Sequence, residues 1–257
     1  MSSTNPPPIA VQLYSLRAEA AVDFGSVIRR VGEIGFVGIE LAGFNGLEPA
    51  SLAALATEAG LVVSSAHIGD VSPDAFNASL DALQAVGCDS VVLAYLPPDQ
   101  FSTVAAIGEC ADRINAANEI AVSRGATLGY HNHWWEFEQR FDGSTAWDHL
   151  FARLEPTVFA ELDTYWATVG GADPTVLTAA HQGRIPFLHV KDGPADDPKS
   201  DMVAVGSGSM DVARILTGAP DAKWHVVELD RCATDMFTAV EDSYRFLTAN
   251  GLSTGRR

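Results

Sequence analysis

The sequence predicts an α/β fold, a single (β/α)8 barrel over residues 1–257, and three observations carry that reading. Short runs rich in Val, Ile and Leu recur eight times with helical stretches between them. Several of those stretches end in a glycine that leads directly into the next apolar run. The later runs each finish in a polar cluster, as strands do where they open onto one rim of a closed parallel barrel.

In chain order the strands are expected at about 9–14, 36–41, 61–67, 88–95, 126–131, 157–163, 185–190 and 223–229. Their apolar residues alternate little, which suits strands covered on both faces. Gly35, Gly60, Gly87 and Gly125 stand where a helix stops and a strand begins, and supply the left-handed turn that ends a helix. Residues 101–123 carry an apolar stripe through Val104, Ala105, Gly108, Ala111 and Ile114 and read as one of the connecting helices. Ser72-Pro73 and Asp173-Pro174 read as an N-cap followed by a first-turn proline. The least regular stretch, 192–209, follows strand seven and is either a cover for the site or an uninvolved loop. Neither GxGxxG after the first strand nor GxxxxGK[ST] is present.

The chain has 257 residues, 47% of them hydrophobic, enough for one large core. Its net charge of −17 opposes a nucleic-acid partner, which needs a basic footprint. No apolar run is long enough for a membrane span, no secretory signal is read at MSSTNPPPIAVQLYSL, and the three cysteines form no CxxC pair. These features lead us to expect a cytoplasmic protein without a disulfide framework.

Chemistry is expected at the strand ends. Glu136, Asp163, His189 and Glu228 close the segments TLGYHNHWWEF, TVFAELDT, IPFLHVKD and WHVVELDR. Carboxylates and an imidazole converging on one rim make a divalent-metal site of mixed oxygen and nitrogen ligands. Residues two apart on a strand share a face, which pairs Asp163 with Glu161, His189 with Lys191, Glu228 with Asp230 and His131 with His133. Burying such pairs without water, partners or a metal is costly, although a salt-bridge layer inside the barrel is the structural alternative.

From VQLYSL to VEDSYRFL the chain resembles the xylose-isomerase-like barrels, a group of sugar isomerases and epimerases that includes inosose dehydratase, tagatose epimerase and hydroxypyruvate isomerase. The resemblance is sharpest at Asp163, at the H-V-K-D segment of His189 and at the V-V-E-L-D segment of Glu228. It implies one divalent ion held by an acidic residue on strand five, an Asp on strand six, a His on strand seven and a Glu on strand eight. Strand five departs from the pattern, with His131-Asn132-His133 where many members have Glu; Glu136 is the expected fourth ligand, and His131 or His133 the alternative.

The resemblance further implies a metal-dependent isomerase or epimerase, working by proton abstraction beside a carbonyl through an enediolate. Glu228 and Glu136 are expected as acid and base and Lys191 as an oxyanion contact. His67, His131, His133, Glu40, Arg231 and Trp166 are candidate substrate-binding residues. Manganese is the expected ion, with magnesium, cobalt or zinc as alternatives. The same site would serve a lyase or dehydratase acting on an inosose or 3-keto-glycoside. A non-catalytic sugar-binding barrel and an apurinic-endonuclease-like hydrolase are more remote readings. The expected partner is a small sugar or keto-sugar, with no nucleic acid and no membrane, and the chain is expected to form a homo-oligomer. Gly206-Ser207-Gly208-Ser209 could offer backbone donors to a phosphate, or be only a flexible loop.

Overall fold

Eight parallel strands close on themselves in the computed structural model, which describes residues 5–256. They are β1 (Ile9–Gln12), β2 (Gly38–Leu41), β3 (Val62–Ile68), β4 (Ser90–Leu93), β5 (Thr127–His131), β6 (Phe159–Asp163), β7 (Phe187–Val190) and β8 (Trp224–Val227). Each pairs with its sequence neighbours, and β8 pairs with β1 to complete the barrel. The expected strands are therefore all present, each within a few residues of its predicted bounds. The expected helix near 101–123 runs Val104–Ser123, preceded by a 3-10 turn at Pro98–Phe101. Gly35 ends the first long helix with φ 113°, a left-handed conformation that favours glycine.

The strands have two different faces. Outward residues such as Leu128, Tyr130, Leu162 and Val190 pack under the helices in the main apolar core. Inward residues fill the barrel in layers. The lower filling is apolar, with Ala10, Val92, Phe159, Phe187 and Val226 in one cluster and Trp224 packed against it. Gly129 leaves room for the Phe159 ring, into which a Cβ at that position would collide.

Above this plug the inward residues become polar. Gln12, Glu40, Ser65, Glu161 and His189 are all fully buried. Registers Gln12↔Glu40, Glu40↔Ser65, His131↔Glu161 and Asp163↔His189 put them on neighbouring strands. A register shift between Ile39 and Glu40 adjusts β2 against β3 at this level. The sequence reading did not foresee the short antiparallel hairpin Arg140–Phe141 with Ser144–Thr145, inserted between β5 and β6.

Candidate active site

Two overlapping donor groups occupy the mouth of the barrel, sharing His131 and His189. One is His131, Asp163, His189 and Glu228; the other is His67, His131, Glu161 and His189. Within each group the donor atoms lie within 4.8 Å of one another. The strand ends set this arrangement: β5 closes on His131 and β6 on Asp163, while Glu228 follows β8 directly. Asn132 locks two of these ends together, its Oδ1 accepting the Asp163 N–H (2.9 Å) and its Nδ2 donating to the Asp163 carbonyl (3.1 Å).

The lower group is held by one oxygen of Glu161, the other, Oε1, being buried without a hydrogen-bond partner. Glu161 Oε2 lies 2.5 Å from His67 Nε2 and 3.1 Å from His189 Nε2. His131 Nδ1 sits 3.2 Å from the same oxygen, too poorly aligned for a full hydrogen bond. Glu40 adds a contact to His189 Nε2 (2.8 Å) and accepts hydrogen bonds from Gln12 (2.6 Å) and Ser65 (2.5 Å). Burial works to lower the pKa of His67 and of His189, but the facing carboxylates of Glu40 and Glu161 outweigh it and hold both above the usual histidine value. Burial works to raise the Glu161 carboxyl, yet the charges of His189 and His67 bring it well below the usual range.

The upper group is built around Lys191. His189 Nδ1 faces Glu228 Oε2 at 2.9 Å. Lys191 Nζ, fully buried, lies 2.8 Å from Asp163 Oδ2, 2.6 Å from Glu228 Oε2 and 2.6 Å from Asp230 Oδ2. Only the contact to Asp230 has hydrogen-bond geometry, so Lys191 is anchored there. Asp163 Oδ1 caps the following helix by accepting the Trp166 N–H (2.8 Å), and Oδ2 is left without a hydrogen-bond partner. Burial pushes the Asp163 carboxyl up to about 6, against the pull of Lys191 and His189. Burial also brings His131 down to about 3, so that its ring is neutral at physiological pH.

This donor set fits one divalent ion. Two carboxylates balance its charge, two imidazoles supply nitrogen, and Asp163 Oδ2 is a buried oxygen with no hydrogen bond, its one close cation being the Lys191 ammonium at 2.8 Å. Such an ion would displace the proton that His189 carries, as ligand nitrogens must be free of protons.

Glu136 does not join either group. It is fully buried, with Oε1 accepting from the Tyr130 hydroxyl (2.6 Å) and Oε2 from the His133 N–H (3.1 Å). Tyr130 belongs to the outward face of β5, so Glu136 sits behind the barrel wall, and His131 occupies the place on strand five expected for it. Burial raises the Glu136 carboxyl to about 8.

The other expected residues separate by depth. A cavity of about 390 Å³ above the donors is lined by His67, His131, His133, Glu228, Asp230, Tyr14 and Tyr95, among others. His133 stacks on Trp135 with ring centroids 4.4 Å apart, and burial holds its pKa well below the ordinary value. Glu40 lies beneath the cavity, in the lower layer. Trp166 is buried against Trp134, 5.4 Å from Lys191 Nζ, and does not line the cavity. Arg231 is half-buried and lies off the cavity lining, and Asp230 takes Lys191 and not Arg231 as its ion-pair partner. Gln12, Ser65 and the two tyrosines were not singled out from the sequence as site residues; Glu161 was marked only as the same-face partner of Asp163, by the alternation Glu161–Leu162–Asp163.

The sequence model of the xylose isomerase-like TIM barrel family matches residues 28–229. The chain belongs to that family. No curated protein matches by sequence. Among solved structures, a sugar phosphate isomerase/epimerase from Parabacteroides distasonis is 26% identical, covering 93% of this chain and 97% of its own, with a TM-score of 0.81. The IolI protein with a bound zinc atom is 14% identical over 95% of this chain and 98% of its own, with a TM-score of 0.75. An L-ribulose 3-epimerase is 17% identical over 96% and 94%, with a TM-score of 0.67. At those two identities the likeness is one of fold. No helix among the described residues is long and apolar enough to cross a membrane.

Proposed function

We propose that the protein is a divalent-metal-dependent sugar isomerase or epimerase that moves a proton at the carbon next to a carbonyl. The observation that carries this reading is the convergence of His131, Asp163, His189 and Glu228 beneath an open cavity. Those four residues would hold the ion, and the ion would supply Lewis-acid stabilisation of negative charge on substrate oxygen. Burial tends to raise the Glu228 carboxyl, but Lys191 and His189 bring it well below the usual range, so it stands ionised and faces the cavity as the base. His67 reaches the same cavity from β3, on another side of the barrel, and is the opposing proton carrier. This takes the place that the sequence reading gave to Glu136. Lys191, anchored on Asp230, keeps a positive charge beside Glu228.

A lyase or dehydratase reading uses the same residues. It is favoured by the protonated state in which Glu40 and Glu161 hold His67, since an imidazolium can protonate a departing oxygen. The 26%-identical sugar phosphate isomerase/epimerase supports the isomerase reading.

The test is solvent deuterium uptake by a panel of ketoses and inososes incubated with the manganese-loaded protein in D2O. The expected result is deuterium at the carbon beside the carbonyl, reduced at least about 100-fold in Glu228→Gln. Uptake undiminished in that variant would remove Glu228 from the role of base.

A further inference from the structure

We propose that the cavity takes an uncharged, unphosphorylated carbohydrate, an inference that rests on the sugar chemistry proposed above and narrows its substrate class. Barrels often bind phosphate with backbone N–H groups after strands seven and eight. Here the glycine-rich segment Gly206-Ser207-Gly208-Ser209 follows β7, and its amide donors already hold an anion. That anion is the carboxylate of Asp192, which is fully buried. Its Oδ2 accepts from the N–H of Gly206 (2.9 Å) and of Gly208 (3.1 Å). Its Oδ1 accepts from Gly193 (2.8 Å) and Met210 (3.0 Å).

Four backbone donors around one carboxylate form an anion nest filled from within the chain. The fit is close: a Cβ on Gly208 would collide with the Asp192 carboxylate. A phosphate at this loop would have to displace Asp192 and then meet its charge. The segment is thereby an ordered part of the barrel mouth. Val203 pairs with Asp192, and Met202 packs, buried, beside Trp166 and Leu229.

The side chains point the same way. The charged carboxylates lining the cavity are Glu228 and Asp230. Lys191 is enclosed by three carboxylates. Arg17, near the rim, donates to the carbonyls of Tyr14 (2.8 Å) and Asp230 (2.7 Å) and stands 4.2 Å over the Tyr14 ring. The cavity wall also offers two partly exposed rings, Tyr14 (44% exposed), with Arg17 over its face, and Tyr95 (47% exposed). Aromatic faces suit the C–H face of a sugar ring, and carboxylates accept hydrogen bonds from its hydroxyls.

The experiment has two arms, with metal content measured on the same samples. In the first, chelator-treated wild type and Asp192→Ala are melted with and without millimolar inorganic phosphate or formate. The expected result is no shift for the wild type and a rise of about 3 °C or more for the variant, whose nest has been vacated. Asp192→Asn replaces the alanine variant where the latter does not fold, with a smaller rise expected. In the second arm, free ketoses and their phosphate esters are compared in D2O with the metal-loaded wild type, and uptake is expected in free sugars only. Stabilisation of the wild type by phosphate, or faster exchange in a phosphate ester than in its free sugar, would overturn the proposal. Loss of metal binding with the wild type still indifferent to phosphate would instead count against the metal-dependent mechanism alone.

Discussion

Glu161 and His189 face each other inside the barrel, Oε2 to Nε2 at 3.1 Å, and the other nitrogen of His189 is thereby turned toward Glu228. A carboxylate behind a ligand imidazole fixes the ring's orientation and tautomer and raises its basicity. The same Glu161 oxygen also contacts His67 and lies within reach of His131. One buried carboxylate on β6 thus contacts three imidazoles, two of which, His131 and His189, belong to the upper donor group as well.

Glu161→Gln keeps the shape and removes the charge. The expected result is a fall of about 10–100-fold in affinity for the divalent ion, read by titration calorimetry, with the circular dichroism spectrum retained. Unchanged affinity would mean that Glu161 serves packing alone.

Lys191 is fully buried among Asp163, Glu228 and Asp230, so Lys191→Ala removes the ammonium that faces all three carboxylates. Removing one partner of a buried ion pair costs on the order of 3–5 kcal/mol. The chelator-treated variant is expected to unfold earlier in urea by about that amount. Added manganese should restore more stability to it than it adds to the wild type, because the ion takes over the lost positive charge.

Glu136 gives a pH dependence with a definite sign. Its carboxyl rises from an ordinary value of 4.5 to about 8 in the fold because burial favours the neutral form. Between those values the folded chain holds a proton that the unfolded chain has released, so this group makes stability fall as pH rises from about 4.5 through about 8. The full displacement corresponds to roughly 5 kcal/mol. Glu136→Gln is expected to flatten the stability curve across that window in urea titrations at successive pH values; an unchanged slope would assign the dependence to another group.

The barrel was legible in the sequence because helix-ending glycines and apolar runs are local signals. Gly35 adopts the left-handed turn expected of it, and the run at 157–163 emerges as β6. That Asp163, His189 and Glu228 come together was legible for the same reason: each closes an apolar run on the rim. Glu136 misled because it stands three residues past His133, where sequence spacing does not say whether the chain turns into the barrel or behind it. The Tyr130 hydroxyl holds it behind. Strand parity carried more information than proximity: His131 is in step with the inward Gly129, whereas Tyr130, the partner of Glu136, faces outward. The role of Asp192 depends on a loop returning 14 to 18 residues later, a closure that no local pattern reveals.

The central claim is a divalent-ion site built by His131, Asp163, His189 and Glu228, and elemental analysis of the purified protein tests it most directly. Metal is measured before and after chelation and reconstitution, beside the Asp163→Ala/His189→Ala double variant. The account predicts about one manganese, cobalt, magnesium or zinc per chain, removed by the chelator, restored on reconstitution and lost in the variant. A wild type that takes up no metal on reconstitution, or a double variant that keeps its full complement, would contradict it.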